Sequence, residues 1–107
     1  FAGLYTSARL PGESEPTTTF TIITTTPNAT VAVVHDRMPV ILAGDAAIDE
    51  WLYAKQTPEA LQRLLIPAPD GYLQATAVST RVNSVANDDP ACLDPVQPRP
   101  GQGTFLL

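Results

Sequence analysis

His35 is the only histidine in this sequence of 107 residues. It stands in the run His35-Asp36-Arg37-Met38-Pro39, behind the apolar stretch Val31 to Val34. Imidazole takes up and gives back protons near neutral pH, so His35 is a candidate general acid or base. The competing reading is a histidine that closes a hydrogen-bond network. If the backbone is extended here, His35 and Arg37 share one side of it. A guanidinium beside an acid/base group suits a site next to a phosphate. Taken in isolation, Arg37 is expected to pair with Asp36 or another carboxylate.

The remaining candidates point to structure. Cys92 is the single cysteine, so it forms no intrachain disulfide and belongs to no metal-ligand pattern. Its setting, Asp89-Pro90-Ala91-Cys92-Leu93, holds no cation to activate the thiol. A Cys92–His35 dyad is therefore rejected in favour of a half-buried structural thiol. Asn28-Ala29-Thr30 matches a short, common glycosylation sequon. Asp88-Asp89 reads as a solvated turn and Trp51 as core. With no Gly-rich phosphate loop and no cluster of metal ligands, no cofactor, nucleotide or metal is expected.

Composition bounds the rest. The hydrophobic share is 44%, ordinary for a globular protein, and the length suits one domain. The net charge of −5 argues against a broad basic surface for nucleic acid on these residues, though not against a local basic spot. No apolar run reaches membrane-spanning length, so no membrane partner is expected. A lone cysteine fits a reducing compartment. The sequence opens on Phe1-Ala2-Gly3-Leu4-Tyr5 without Met. That run reads like the middle of a buried strand, as in a fragment of a larger soluble protein whose exposed strand edges invite self-association.

Several elements must position the candidates. Arg9 to Thr19, with Pro11, Gly12, Ser14 and Pro16, reads as a loop between strands. Phe20 to Thr24 reads as a strand. Asn28 can cap a short helix over Ala29–Val34, although the β-branched content there also permits a strand. Val40-Ile41-Leu42 reads as a buried strand. Asp45 is the expected N-cap of a helix with Ile48, Trp51 and Leu52 on one face. Thr57 caps a second helix, with Pro58 in its first position, Glu59 in its first turn and a buried stripe of Leu61, Leu64 and Leu65. Part of Leu73–Val82 reads as a strand, Asn83 to Pro90 as turns, 95–103 as an extended Pro/Gly-rich segment, and Thr104–Leu107 as a last strand or a disordered end. Strands and amphipathic helices without βαβ regularity point to an α+β fold.

Phe20-Thr21-Ile22-Ile23-Thr24-Thr25, then His35-Asp36-Arg37-Met38-Pro39-Val40-Ile41-Leu42, then Val78-Ser79-Thr80-Arg81-Val82-Asn83 with Asp89-Pro90 behind it resembles the SRAP family, the SOS response-associated peptidase domain. Phe1 to Tyr5 also looks like that family's preceding strand. The His-Asp-Arg-Met-Pro run is the most specific part. The resemblance covers nearly everything except the tail, so residues 1–94 are expected to be the C-terminal part of an SRAP-like domain and 95–107 a tail. It implies part of a barrel-like mixed β core with peripheral helices, the N-terminal half being absent from this sequence.

The family attaches covalently to abasic sites in single-stranded DNA. It does so through a Cys exposed at the N-terminus after removal of the initiator Met, which closes a thiazolidine ring with the abasic aldehyde. A family Asn and Glu complete the site, and none of these residues falls in this sequence. The resemblance makes His35 the catalytic histidine, places Thr24 near the same pocket and turns Arg37 toward DNA phosphate. It further implies a cytoplasmic location, nucleoid-associated in action, for a bacterial source, the upstream half of the domain as partner, and no crosslinking by these residues alone. The rivals are a non-catalytic scaffold or interaction module of the DNA-damage response, which the acidic balance favours slightly, and a peptidase acting on other proteins.

Overall fold

The computed structural model describes residues 1–53 and 55–97. The chain is α+β. Strand β1 (Gly3–Ala8) pairs antiparallel with β2 (Thr17–Ile22), and β3 (Thr24–Thr25) pairs antiparallel with β4 (Met38–Pro39). Helix α1 (Ala29–Ala32) lies between β3 and β4, and α2 (Asp45–Tyr53) and α3 (Pro58–Leu61) follow. Short 3-10 turns cover Gln62–Leu64, Thr80–Asn83 and Pro90–Leu93. Among the described residues the two small sheets stay open and do not close into a barrel. The expected strand at Thr104–Leu107 and most of the expected extended segment lie outside the described residues.

The loop expected over Arg9–Thr19 is shorter, because Thr17–Thr19 already pair within β2, and the strand expected over Phe20–Thr24 is divided at Ile23. The remaining residues connect the β1–β2 hairpin, with Gly12 in the left-handed region at φ 83°. Gly3 is needed for a different reason. A Cβ there would stand 2.9 Å from the Thr21 carbonyl oxygen on the paired strand, so only glycine permits this approach.

The core gathers where three extended stretches meet. The Ala2 N–H donates to the Val40 carbonyl, the Ile23 N–H to the Ala2 carbonyl, and the Val40 N–H to the Ile23 carbonyl, all at 2.9–3.0 Å. Ala2 and Val40 are fully buried there and pack with Leu42, Ile23, Ala47, Trp51, Leu64 and Leu65. A second cluster joins Val31, Met38 and Ala68 to Val34, Ile41 and Leu73. Val40 and Leu42 enter the first cluster while Ile41 enters the second, as the alternation of an extended chain requires.

Several expectations are corrected. Val40–Leu42 is packed as foreseen, but the ladder is made by Met38–Pro39, one step earlier. Val40 splits its backbone hydrogen bonds between Ile23 and Ala2, so no single partner strand extends the ladder. Phe1 to Tyr5 leads into β1, and within these residues Ala2 is buried, whereas Phe1, Leu4 and Tyr5 are 72%, 58% and 82% exposed. Asp45 is the first residue of α2 and not its cap. The Ile48 N–H reaches the carbonyl of Gly44, whose φ of 90° suits glycine. Of the apolar face expected on that helix, only Trp51 packs on the core, joined by Ala47, while Ile48 and Leu52 are 39% and 60% exposed.

Leu73–Val82 forms no regular strand. Val78 makes one isolated bridge with Pro95, and the Ser79 hydroxyl accepts from the Arg81 N–H to start a 3-10 turn. A local side-chain cap of that kind competes with strand pairing. The Thr57 expectation holds: its hydroxyl accepts from the Ala60 N–H at 3.2 Å, with Pro58 at the start and Glu59 in the first turn. Leu61, Leu64 and Leu65 are half-buried instead of fully buried, the latter two packing on the first core cluster.

Candidate functional site

The site is built outward from Asn28. As expected, Asn28 caps α1, its Oδ1 accepting from the Val31 N–H at 3.0 Å. It also does what sequence reading missed. Asn28 is buried, its Nδ2 donates to the Ala68 carbonyl at 3.1 Å, and its own N–H points at the Met38 sulfur at 3.2 Å. Asp70 helps from outside, its Oδ1 accepting from the Ala29 N–H at 2.8 Å. One side chain thus joins α1, β4 and the segment around Ala68. A buried amide that satisfies partners on separate elements is costly to replace, because each partner is left unpaired.

The α1 helix delivers His35. The N–H groups of Val34 and His35 both reach the Val31 carbonyl at 2.9 Å, so the chain winds tightly off the helix end. Instead of running extended through His35–Arg37, it bends at Asp36. The imidazole folds back so that Nδ1 lies 3.0 Å from the Arg37 N–H nitrogen and 3.0 Å from the Arg37 carbonyl oxygen. The Asp36 carboxylate lies 3.3 Å from the same nitrogen. A neutral ring accepts from the Arg37 N–H, while a protonated ring donates to the Arg37 carbonyl with Asp36 beside it. The ring has partners in both protonation states and remains 54% exposed at its side chain.

Arg37 turns the other way. Its Nη2 donates to the Thr24 hydroxyl on β3 at 2.9 Å. The expected alternative, a pair with Asp36 or another carboxylate, is not formed among the described residues. The next residue, Met38, is 2% exposed and anchors the run, and β4 locks against β3 through Thr25↔Met38 and Thr24↔Pro39. Thr24, His35 and Arg37 thereby line one cleft of about 470 Å³, together with Phe1, Val31, Met38, Pro39, Ile41 and Leu73. Its walls are mostly apolar, with polar groups from Thr24, His35 and Arg37. Such a cleft suits an uncharged organic moiety, with the guanidinium available to an anionic group. Phe1, Ile41 and Leu73 carried no signal of this placement, because only the folded chain brings them to His35.

The other candidates fall elsewhere. Cys92 is buried in the Pro90–Leu93 turn, its sulfur 3.7 Å from the Asn87 carbonyl, and it does not line the cleft. Asp89 pairs with Arg81 at 2.7 Å. Trp51 donates from Nε1 to the Gly3 carbonyl at 3.1 Å, tying α2 to β1. The Asn28 amide of the sequon match is buried and committed to Ala68. Among the described residues no trio of His, Cys, Asp or Glu gathers to hold a metal ion, and no helix is long and apolar enough to cross a membrane.

Comparison with known proteins gives a consistent picture. The family model described as SOS response associated peptidase (SRAP) matches residues 1–85. The abasic site processing protein HMCES of Gallus gallus is 41% identical over 97 residues, a match spanning 90% of this chain and 28% of the relative. The abasic site processing protein YoqW of Bacillus subtilis is 46% identical over 95 residues, spanning 88% of this chain and 42% of the relative. HMCES of Xenopus tropicalis is 35% identical over 92 residues, with 86% and 27% covered. The chain thus spans less than half the length of each of these relatives.

Proposed function

The chain belongs to the SOS response associated peptidase family, and on that footing we propose that it supplies His35, Thr24 and Arg37 to a site that captures abasic sites in single-stranded DNA. The observation that carries this reading is the shared cleft, which holds an acid/base group and a guanidinium free of any carboxylate among the described residues. The relatives named above as abasic site processing proteins support the substrate class.

An abasic sugar is a cyclic hemiacetal. Opening it to the aldehyde requires a proton on the ring oxygen and the loss of one from the hydroxyl at C1. His35, with partners for its neutral and charged forms, is suited to moving those protons. In this reading the aldehyde then meets an N-terminal cysteine of the intact protein, exposed by removal of the initiator Met. The α-amine and thiol add to the aldehyde with loss of one water, closing a thiazolidine. That cysteine is not among these residues, whose one cysteine, Cys92, is buried. Arg37 holds a backbone phosphate beside the lesion, which fixes the sugar without reading sequence. The apolar lining from Met38, Ile41 and Leu73 limits water around the opened sugar.

The test mixes the intact protein with single-stranded DNA bearing one abasic site and runs a denaturing gel, wild type beside His35→Ala. A heat-resistant shifted band that forms or reverses more slowly in the variant supports the reading. Absence of the band from a folded wild-type protein with a free N-terminal cysteine overturns it. Unrelated peptides incubated with the same protein are expected to remain uncleaved.

A further inference from the structure

We infer that Thr24 is a positioning residue whose hydroxyl aims the Arg37 guanidinium at the nucleic-acid backbone without neutralising its charge. The inference rests on the reading of Arg37 as a phosphate contact and assigns Thr24 a definite part in it.

An exposed arginine on a bend loses much side-chain entropy when it captures a phosphate. Arg37 has already lost part of that freedom, since its Nη2 donates to Thr24 Oγ1 at 2.9 Å. Thr24 is a firm anchor. It sits in β3, its backbone pairs with Pro39 just beyond Arg37, and a β-branched side chain is stiff at χ1. The chemistry of the anchor matters as much as its rigidity. A hydroxyl takes one N–H of the guanidinium and leaves the rest of the fork free for phosphate. A carboxylate at the same place would orient Arg37 and also cancel its charge. Among the described residues no carboxylate pairs with Arg37, although Asp36 is its sequence neighbour. Asp36 lies against His35 instead, at 3.3 Å. In an acidic chain of net charge −5, a guanidinium held by a neutral partner is a local positive point in an otherwise repulsive field.

The test measures binding of a fluorescent single-stranded oligonucleotide carrying a tetrahydrofuran abasic analogue, by anisotropy at several salt concentrations, with the intact protein. The inert analogue separates binding from covalent chemistry. Thr24→Val is expected to weaken binding about 3- to 10-fold, with Thr24→Ser restoring it. Thr24→Asp is expected to weaken it further and to lower the salt slope by roughly one, as Arg37→Ala does. In an Arg37→Ala background, Thr24→Val should have no further effect, and thermal midpoints should stay unchanged. Nitrogen-15 spectra give a readout independent of DNA: the guanidinium signal that vanishes in Arg37→Lys should lose its slowed rotation in Thr24→Val. An equal cost of Thr24→Val with and without Arg37 overturns the inference, since Thr24 then acts on DNA by itself. Failure of Thr24→Ser to restore binding also overturns it. An Arg37→Ala variant that binds as well as wild type overturns the phosphate reading of Arg37, and with it the role of Thr24 in binding. The guanidinium spectra tell that outcome from the loss of the hydrogen bond alone.

Discussion

The imidazole Nδ1 of His35 lies 3.0 Å from both the N–H nitrogen and the carbonyl oxygen of Arg37. One residue therefore offers a donor and an acceptor to the same ring nitrogen, on a bend that also carries the guanidinium. The ring is held by backbone, so its placement survives changes to the Arg37 side chain.

The first prediction concerns the tautomer. A neutral ring that accepts from the Arg37 N–H at Nδ1 must carry its proton on Nε2. Ring-nitrogen correlation spectra at high pH, with the His35 signals identified by their loss in His35→Gln, should show a bare Nδ1 and a protonated Nε2. A bare Nε2 would mean that the carbonyl, not the N–H, is the partner of the neutral ring.

Removal of the imidazole should separate chemistry from folding. His35→Ala is expected to slow crosslink formation or reversal by about 10²- to 10⁴-fold in the intact protein. The side chain is 54% exposed, so stability should change by only about 0.5 kcal/mol. Rates from quenched gels and a urea titration of the same samples check both halves of the statement.

Asn28 should behave in the opposite way. Asn28→Ala removes the cap on α1 and leaves the Ala68 carbonyl without its donor. A destabilisation of about 2–4 kcal/mol is expected from the two losses together. Asn28→Asp keeps an acceptor for the Val31 N–H but loses the donor to Ala68, and should be intermediate. Urea midpoints rank the three proteins. Passage through a secretory host should leave Asn28 without a glycan, by intact mass.

Met38→Ala should cost about 2–5 kcal/mol, because the side chain is almost fully buried between α1 and the Ala68 segment. Met38→Leu preserves volume and should cost less than about 1.5 kcal/mol. A larger loss in Met38→Leu would show that the sulfur contact to the Asn28 N–H contributes beyond packing.

The Arg81–Asp89 pair is about half exposed on both sides. Solvent screens such a pair, so breaking it with Asp89→Asn should change stability by about 0–1 kcal/mol, and by less at high salt. Thermal melts at low and high ionic strength decide this.

Much of the site was legible in the sequence, for reasons that are local. The Asn28 and Thr57 caps follow from a side chain reaching a backbone N–H a few residues ahead, which needs no distant partner. The His-Asp-Arg-Met-Pro run carries the imidazole, the guanidinium and the buried methionine within five consecutive positions. The errors also have a common cause. The extended path considered for His35–Arg37, the strand bounds around Val40 and the strand read within Leu73–Val82 all depended on partners that local sequence does not name.

By itself the sequence determined the α+β character, the family resemblance, the caps at Asn28 and Thr57, and His35 and Arg37 as the residues to watch, with Thr24 added by the resemblance. Each of these depends on residue type and short spacing, which backbone geometry translates directly into structure. Only the tertiary structure decided that Asn28 reaches Ala68, that Val40 joins Ala2 to Ile23, and that Arg37 takes Thr24 over Asp36 as its partner. Those choices join segments far apart in the chain, or select among competing partners. They are set by which combination buries apolar side chains and pairs every polar group at once, a condition that no single segment can meet alone.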